Sequence, residues 1–465
     1  MELSLERTPV PGLLVLRMPV HRDDRGWFKE NWQRAKMTAI GLPDFGPVQN
    51  NVSFNAHRGA TRGFHVEPWD KLVSVTTGRV FAAWVDLRSG PTFGTSFTIE
   101  IDPSVTVFVP RGVGNSYQAL EDGTAYSYLV NDHWRPGIGY PAVDLGDPDL
   151  AVPWPIPLAE AEISEKDRTN PRLADIEPLP GPRTLVLGAG GQLGRALCAE
   201  LPDAVPVARS GTEHTLDLAD PAAVGAWSWQ DYDVVINAAA YTAVDAAETA
   251  EGRVASWATN ATGPAHLARL AREHRFTLVH YSTDYVFDGT HEEPDESEPM
   301  SPLGVYGQSK TAGDLAVAIA PAHYVLRTSW VIGEGRNFVR TMQDLAHRGI
   351  SPAVVDDQHG RLTFTDELAR ATRHLVTTNA PYGTYNITNG GPVTSWADIA
   401  REVFRLSGRD PDDVGRTTTE AYGAGKDLAP RPTHSALRLD KLRATGFEPE
   451  AAFTALARYC GVSDA

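Results

Sequence analysis

The sequence predicts a multidomain protein in which an all-β domain precedes an α/β domain with a doubly wound parallel sheet. A chain of 465 residues is long for a single hydrophobic core. Short β-rich runs give way to alternating strands and helices, and a proline-rich segment separates the two patterns. We therefore expect a first domain over residues 1–170, a linker over 171–182 and a second domain over 183–465.

The first domain is predicted from its strands and turns. Runs such as Leu72–Val75, Arg79–Asp86 and Thr106–Val109 favour β-structure. Gly, Pro, Asn and Asp recur between such runs at the spacing of a sandwich or small barrel. The next segment has little periodic apolar pattern, which favours a linker, and its turn residues are Pro171, Pro178, Pro180, Gly181 and Pro182.

The second domain is predicted from alternating elements. We expect strands at Thr184–Leu187, Asp233–Ile236 and Thr277–Tyr281, and helices at Gln192–Leu201 and Ala261–His274. Such alternation is typical of a parallel sheet with helices on both faces.

The composition excludes some classes of function. The formal net charge is −17, whereas a general nucleic-acid or membrane-surface binder needs a basic surface, so we expect neither partner. Two cysteines cannot build a disulfide framework or a zinc site, and we expect no metal site. The start lacks a basic and apolar leader, and no apolar run reaches about 18 residues, so we expect a cytoplasmic protein.

A glycine-rich turn lies between the first predicted strand and helix of the second domain. Gly188 allows a tight turn, Gly191 lets the backbone approach a pyrophosphate, and Gly194 lets helix and strand lie close. This placement favours a dinucleotide site over a purely structural turn. Gln192 and Leu193, which open the helix, are further candidates to contact the cofactor.

The residue after the second predicted strand bears on cofactor choice. NAD sites commonly have an acidic residue there, whereas this chain has Arg209. A guanidinium attracts a 2′-phosphate, so NADP(H) is favoured and NAD(H) stays possible. The alternative is that Arg209 is a solvated loop residue.

Tyr306 and Lys310 lie four residues apart on one face of a predicted helix, and Thr283 ends an apolar strand before them. A lysine ammonium is expected to lower the pKa of the tyrosine, which can then donate a proton to a carbonyl oxygen as hydride arrives. Lys310 can also hold the nicotinamide ribose, and Thr283 can hydrogen-bond the carbonyl. The spacing alone is common on helix surfaces; after a dinucleotide turn it indicates a reductase.

From about Thr184 onward the chain resembles the short-chain dehydrogenase superfamily and, within it, the dTDP-4-dehydrorhamnose reductase family. The blocks that carry the resemblance begin at Gly188, Val234, Ser282, Leu326, Asn337 and Arg431. The resemblance implies a Rossmann-type sheet with a small substrate-binding lobe, and Thr283, Tyr306 and Lys310 as the catalytic residues. It also implies an adenine and ribose site and a tryptophan beside the sugar; these residues are Asp217, Leu218, Ala238, Ala239, Ala240, Tyr241 and Trp330.

Two features of this family stay open here. The block Asp357-Gln-His-Gly-Arg-Leu-Thr has Leu362 where the family has proline, which bears on the substrate-side loop. Some members of the family use Mg²⁺ at a dimer contact, and the sequence gives no support for it.

Charged and amide residues are mixed into the β-rich first domain, which suits a polar cleft. A single histidine such as His65 is more often structural than a base. However, the order of the blocks from His21 to Asp167 resembles dTDP-4-dehydrorhamnose 3,5-epimerase, a cupin jelly roll, over about residues 8–170.

The chemistry of that family needs a base on one face of the sugar and an acid on the other, because a 4-keto group acidifies the protons at C3 and C5. The resemblance implies His65 as the base, Asp167 as its orienting carboxylate and Tyr128 as the acid. Lys71 would stabilise the enolate, so that no metal is required. The implied substrate-binding residues are Arg25, Glu30, Gln49, Asn51, Arg62, Asn115 and Trp134.

Two departures from the epimerase pattern leave alternatives open. Asn115 stands where the family usually has histidine, and the loop from His65 to Lys71 is short. We expect a bifunctional enzyme of dTDP-L-rhamnose synthesis that acts on a small nucleotide sugar and forms a homodimer through the cupin half. The alternatives are a 4-ketoreductase for another 6-deoxyhexose with a mono-epimerase or inactive cupin half, and a non-catalytic nucleotide-binding scaffold.

Overall fold

A computed structural model describes residues 2–133, 140–181 and 183–462. The chain divides into two compact units, Met1–Gly181 and Pro182–Ala465. The first unit is all-β and the second contains a parallel sheet, as the sequence predicts.

The first unit contains two main sheets. Its strands are β1 (Ser4–Arg7), β2 (Leu14–Arg17), β3 (His21–Asp23), β4 (Gly26–Phe28), β5 (Gln49–Asn55), β6 (Ala60–His65), β7 (Lys71–Thr77), β8 (Val80–Asp86), β9 (Ser96–Ile101), β10 (Val105–Val109), β11 (Val113–Ala119), β12 (Thr124–Val130), β13 (Ala142–Val143) and β14 (Glu162–Ile163), and helix α1 is Arg34–Ala39. In the described residues one sheet has the order β1-β2-β10-β7-β12-β5 and the other β13-β6-β11-β8-β9, with β14 also beside β6. Both sheets are antiparallel except where β14 runs parallel to β6. Strands β3 and β4 form a separate hairpin.

Alternating side chains bury the space between the two sheets. Val73 and Val107 of the first sheet share a core with Trp84 and Tyr117 of the second. Both outer faces are also covered: Met37 of α1 joins a cluster on the first sheet, and Leu150 joins a cluster on the second. Strands that are buried on both faces read as continuous apolar runs, as β8 does.

Most of the segment expected as a linker lies against the first unit. Leu173 is buried in the cluster on the second sheet, and Ile176 and Leu179 lie at its margin. Ser89 N–H donates to the Leu179 carbonyl at 2.7 Å. The segment packs on the first unit instead of linking two domains, because apolar residues spaced between its prolines give it a face to bury.

The second unit is built on a parallel sheet of seven described strands in the order β17-β16-β15-β18-β19-β20-β25. Its strands are β15 (Thr184–Leu187), β16 (Val205–Ala208), β17 (His214–Thr215), β18 (Val234–Asn237), β19 (Thr277–Thr283), β20 (His323–Thr328), β21 (Val331–Ile332), β22 (Ala353–Val355), β23 (His359–Gly360), β24 (Thr363–Phe364), β25 (Gly383–Asn386), β26 (Thr394–Ser395) and β27 (Gly415–Thr417). Its helices are α2 (Gln192–Glu200), α3 (Pro221–Ala226), α4 (Ala250–Trp257), α5 (Gly263–His274), α6 (Val305–Val317), α7 (Phe338–His347), α8 (Thr365–Thr377), α9 (Trp396–Leu406), α10 (Thr419–Gly423), α11 (Asp440–Arg443) and α12 (Ala452–Tyr459).

Two apolar clusters cover the faces of this sheet. One includes Leu185, Leu267 and Val325, and the other includes Val186 and Leu368. Strand order reverses direction at β15, where the chain passes from β17 back to β18. The carboxyl ends of β15 and β18 therefore form the crevice in which α/β sheets bind ligands.

A third cluster gives the second unit a smaller subsidiary core. It joins α7, α9 and α12 through residues such as Val339, Val403 and Leu456. Among the described residues, no helix is long and apolar enough to cross a membrane.

Candidate active sites

The turn after β15 requires glycine at two positions. Gly188 has a φ of +78°, and a Cβ there would lie 2.6 Å from the Ala239 nitrogen. A Cβ on Gly194 would lie 2.1 Å from the Gly188 carbonyl oxygen. The turn, the start of α2 and the end of β18 can therefore approach this closely only without side chains.

The N-terminus of α2 is open. Gly190 and Gly191 are exposed, and Gly191 makes no side-chain cap to the first turn of the helix. Uncapped N–H groups at the positive end of a helix favour an anion. The bare backbone and uncapped helix fit the diphosphate of a dinucleotide.

Asn260 holds the loop that faces this turn. Its side chain accepts from Tyr241 N–H at 2.9 Å and donates to the Tyr241 carbonyl at 3.0 Å. It also donates to Ser309 Oγ at 3.1 Å, which ties the loop to α6. Asn260 lies in a π-helical turn, Ala258–Thr262, a feature frequent at functional sites. Asn260 was not among the predicted site residues; an asparagine within the helical stretch 250–274 was the available signal.

The other candidate cofactor residues lie around the turn. Arg209 follows β16 directly and is exposed, as is Asp217, while Leu218 is buried. Gln192 Nε2 donates to the Arg336 carbonyl at 3.5 Å, and Leu193 packs against the core of the sheet. Ala238 and Ala239 are half-buried and Ala240 is exposed at the end of β18.

Thr283, Tyr306 and Lys310 meet at the carboxyl end of β19. Thr283 is the last residue of β19, and its hydroxyl lies within hydrogen-bonding reach of the Tyr306 phenol. Tyr306 stands in the first turn of α6, edge-on to Tyr285 with ring centroids 5.5 Å apart. Lys310, one turn later, is buried, and its Nζ donates to the Tyr281 carbonyl at 2.5 Å.

The expected effect of Lys310 on Tyr306 is corrected by the structure. Burial raises the pKa of Tyr306 above its ordinary value, and the carboxylates of Asp284 and Asp314 raise it further. Burial lowers the pKa of Lys310 to about 8. The phenol is therefore held in its neutral form, because desolvation and the two carboxylates outweigh the hydrogen bond from Thr283 that lowers its pKa.

Trp330 is fixed in an unusual conformation. Its φ is +48°, and its ring stacks on Trp396 with centroids 3.9 Å apart. A Cβ on Gly360 would lie 2.9 Å from the Trp330 ring. Leu362, which replaces the family's proline, is buried in the subsidiary core.

In the first unit, His65 and Asp167 form a hydrogen-bonded pair. His65 Nε2 lies 2.8 Å from Asp167 Oδ1, although the two residues are 102 positions apart. A Cβ on Gly63 would lie 2.5 Å from Asp167 Oδ1, so a glycine is needed beside the carboxylate. Burial acts to raise the pKa of Asp167, but the hydrogen bond and charge of His65, together with hydrogen bonds from Gly63 and Ser164, outweigh it and hold the pKa at about 2. Asp167 is thus an anion that orients the imidazole.

A second group of side chains lies around Tyr128. Lys71 is buried, forms an ion pair with Glu67, and its Nζ lies 6.0 Å from the centre of the Tyr128 ring. Burial raises the pKa of Tyr128, Glu67 raises it further, and the charge of Arg62 lowers it. Glu67 was missed in the sequence; an acidic residue four positions before Lys71 was the signal.

Asn115 connects His65 to the tyrosines of β12. Asn115 pairs with His65 across β11 and β6, and its Oδ1 accepts from the Tyr126 hydroxyl at 3.0 Å. The Tyr126 and Tyr128 ring centroids are 6.2 Å apart. A neutral amide thus lies beside His65.

The remaining candidates of this unit make other contacts. Gln49 Nε2 donates to Asn51 Oδ1 at 2.8 Å on β5. Arg25 stands on the hairpin with its side chain 90% exposed and paired with Asp23. Glu30 accepts from Lys36 at 2.6 Å. Trp134 lies outside the described residues.

Two family models match the chain. The model of the RmlD substrate binding domain matches residues 182–461. The model of dTDP-4-dehydrorhamnose 3,5-epimerase matches residues 7–175. Together they cover both halves that the sequence resemblances identified, which confirms a fusion.

Individual relatives match the two halves separately. A protein RmlC homolog of Streptococcus pyogenes serotype M6 is 49% identical over 177 residues, 37% of this chain and 89% of the relative. A probable dTDP-4,6-dihydroxy-2-methyloxan-3-one 4-ketoreductase of Streptomyces antibioticus is 43% identical over 273 residues, 57% of this chain and 90% of the relative. The crystal structure of a dTDP-4-dehydrorhamnose reductase of Bacillus anthracis str. Ames in complex with NADP is 30% identical; the match covers 60% of this chain and 98% of that one, with a TM-score of 0.53.

Proposed function

The chain belongs to the RmlD substrate-binding family over residues 182–461 and to the dTDP-4-dehydrorhamnose 3,5-epimerase family over residues 7–175, and we propose that it carries out two consecutive steps of dTDP-L-rhamnose synthesis. The first unit epimerises dTDP-4-dehydro-6-deoxyglucose at C3 and C5. The second unit then reduces the 4-keto group with NADPH. The observation that carries the proposal is that each half holds its own proton-transfer group, His65 with Asp167 and Tyr306 with Lys310.

In the epimerisation, His65 removes the proton next to the keto group. Asp167 accepts a hydrogen bond from the imidazole and stabilises the charge that develops on it. Lys71 donates to the enolate oxygen, and an ammonium has three donors, so it can do this while it remains paired with Glu67. Tyr128 returns a proton from the other face, and its raised pKa keeps it a phenol until that step.

In the reduction, NADPH bound at the turn of Gly188–Gly194 supplies the hydride. Tyr306 donates its phenolic proton to the 4-keto oxygen, which suits a tyrosine whose pKa is raised. Thr283 hydrogen-bonds the same oxygen. Lys310 donates one N–H to the Tyr281 carbonyl, and its other donors are available to the ribose hydroxyls.

We infer a preference for NADP(H) over NAD(H). Arg209 is exposed at the end of β16, next to the turn, and no ion-pair partner for it occurs in the described ranges. A guanidinium in this position can bind a 2′-phosphate in bidentate fashion. The NADP complex of the Bacillus anthracis relative supports this choice.

We also infer that the first unit forms a homodimer. Strand β5 lies at the edge of its sheet, and its exposed residues include Val52 and Phe54, each 64% exposed. Phe28 of the hairpin is equally exposed. An edge strand with apolar side chains is a surface that proteins normally cover.

A second candidate function is supported by Asn115 and by the ketoreductase relative from Streptomyces antibioticus. In that case the first unit inverts one carbon, and the product is a different 6-deoxyhexose. A third reading, a binding scaffold without turnover, requires that the Tyr306 hydroxyl is dispensable.

One experiment separates these functions. The full chain is given dTDP-4-dehydro-6-deoxyglucose and NADPH in deuterium oxide, and NMR reads the configuration and deuterium content at C3 and C5. Deuterium at both carbons with the L-rhamno configuration is the expected result. Deuterium at a single carbon refutes double epimerisation. The reductase is refuted if NADPH is oxidised neither with dTDP-4-dehydro-6-deoxyglucose nor with dTDP-4-dehydrorhamnose.

A further inference from the structure

We propose that Asp314 is a positioning residue of the reductase: held by Arg327, it keeps the Lys310 ammonium charged inside a buried site. This inference rests on the proposed reduction, in which Tyr306 becomes a phenolate once its proton has moved to the keto oxygen. A charged Lys310 stabilises that phenolate, whereas a neutral amine does not.

Asp314 lies one helical turn after Lys310 on α6, so that both side chains share a face. Both residues are 2% exposed. Burial disfavours an isolated ammonium and an isolated carboxylate, and each reduces the cost of the other.

Arg327 fixes the carboxylate from the neighbouring strand. Its Nε donates to Asp314 Oδ2 at 3.2 Å, and its guanidinium also donates to the Glu296 carbonyl at 3.2 Å. Arg327 is itself 4% exposed. Asp314 Oδ1 has no hydrogen-bond partner among the described residues. Burial raises the pKa of Asp314, and the charges of Arg327 and Lys310 act against that rise and favour the carboxylate.

The groups that face Lys310 from other elements do not replace this charge. On β19, His280 is kept neutral because burial and the charge of Lys310 lower its pKa, and Tyr281 contributes its carbonyl. Asp284, beyond Tyr306, is largely ionised at neutral pH even though burial raises its pKa to about 6. Its charge acts on Tyr306, whereas Asp314 is the carboxylate that acts on Lys310. The π-helical turn and α4 contribute the uncharged Asn260 and Ser256, and Glu248 binds the Val305 N–H at the start of α6.

The direction of the effect follows from these contacts. Burial lowers the pKa of Lys310 to about 8, and Asp314 acts against that shift. Lys310 is active when protonated, so activity is present below its pKa and is lost above it. Removal of the Asp314 charge lowers that pKa further and moves the loss to lower pH.

The test compares the full-length wild type with Asp314→Asn and Asp314→Glu. The kcat for NADPH oxidation is measured from pH 5.5 to 10 with the keto sugar formed by the first unit. In Asp314→Asn we expect the alkaline midpoint of kcat to fall by about one pH unit. The kcat should fall about tenfold above that midpoint and less than about threefold at pH 6. Asp314→Glu should restore the midpoint, and an equal loss at every pH in Asp314→Asn would overturn the proposal.

A second variant guards against misfolding, because Asp314→Asn leaves Arg327 buried without its partner. The double variant Asp314→Leu/Arg327→Met removes both charges, and a smaller downward shift of the midpoint is expected, because the positive charge of Arg327 is lost together with the carboxylate. A wild-type midpoint in the double variant would overturn the proposal.

NADPH binding, followed by fluorescence over the same pH range, gives a readout that needs no turnover. NADPH binding should weaken as the pH rises, and in Asp314→Asn this weakening should begin at a lower pH than in the wild type. If the wild type does not oxidise NADPH but the pH dependence of NADPH binding still differs between the wild type and Asp314→Asn, the proposed reduction is refuted and the role of Asp314 is not. If the pH dependence of binding is the same in both proteins, the role of Asp314 is refuted.

Discussion

His65 and Lys310 stand in opposite surroundings within the two units. The His65 side chain is 40% exposed and makes a direct hydrogen bond to Asp167, whereas Lys310 is buried and interacts with Asp314 through space. The proposed base of the first unit is thus held by one oriented contact. The protonation of Lys310 in the second unit depends on desolvation and charge.

This difference follows from how each fold builds a site. In the first unit, most of the candidate site residues come from strands of two facing sheets, and the His65 side chain is 40% exposed. In the second, α6 packs over the end of β19 and covers the lysine. The direct hydrogen bond of 2.8 Å between His65 and Asp167 is weakened less by nearby solvent than an interaction between buried charges that are not in contact.

The largest expected effects come from removal of each proton-transfer group in turn. Tyr306→Phe should lower reduction about a thousandfold, and His65→Ala should lower epimerisation by a similar factor. NADPH oxidation with pre-formed dTDP-4-dehydrorhamnose measures the first, and deuterium uptake at C3 and C5 measures the second. Each variant serves as the control for the other; loss of both activities in either one would show that the two sites are not independent.

The partner of His65 gives the next effect. Asp167→Asn should lower epimerisation about a hundredfold, because the imidazole loses its orienting anion.

The same variant tests stability against pH. The pKa of Asp167 is about 2 in the folded chain, below the unfolded value of about 3.9. Its stabilising contribution is therefore present above about pH 4 and is lost as the pH falls through about 2. The difference in Tm between the wild type and Asp167→Asn should narrow from pH 5 to pH 2; a constant difference would contradict the depressed pKa.

A smaller effect is expected at the cofactor site. Arg209→Ser should raise the KM for NADPH about tenfold, since it removes a charged hydrogen bond to the 2′-phosphate. The KM for NADH should change less than about twofold, which makes NADH the internal control. Equal changes for both cofactors would place Arg209 away from the phosphate.

The smallest effect on activity is expected at the edge strand. Phe54→Glu should convert the dimer into a monomer, because it places a charge at the centre of the proposed interface. Light scattering measures the mass, and Arg58→Glu, an exposed charge change just beyond the strand, is a matched control. A monomeric wild type, or a dimeric Phe54→Glu, would refute this interface.

Much of both sites was predictable because it depends on local spacing. A strand followed at once by Gly188, with Gly194 in the first turn of the next helix, permits few other backbone paths, and the structure places both where a Cβ cannot fit. The helix period alone puts Tyr306 and Lys310 on one face. The pairing of His65 with Asp167 was accessible only through the family resemblance, since a separation of 102 positions carries no local signal.

The sequence by itself therefore determined the two fold types and the glycine turn, and it supplied the residues proposed to move protons. Tertiary structure alone decided how those groups are charged: that Tyr306 is held neutral, that Glu67 pairs with Lys71, and that Arg327 holds Asp314 beside Lys310. The physical reason is that backbone preferences and helical spacing act over a few residues along the chain. Desolvation and Coulomb forces act through space, between residues that only folding brings together.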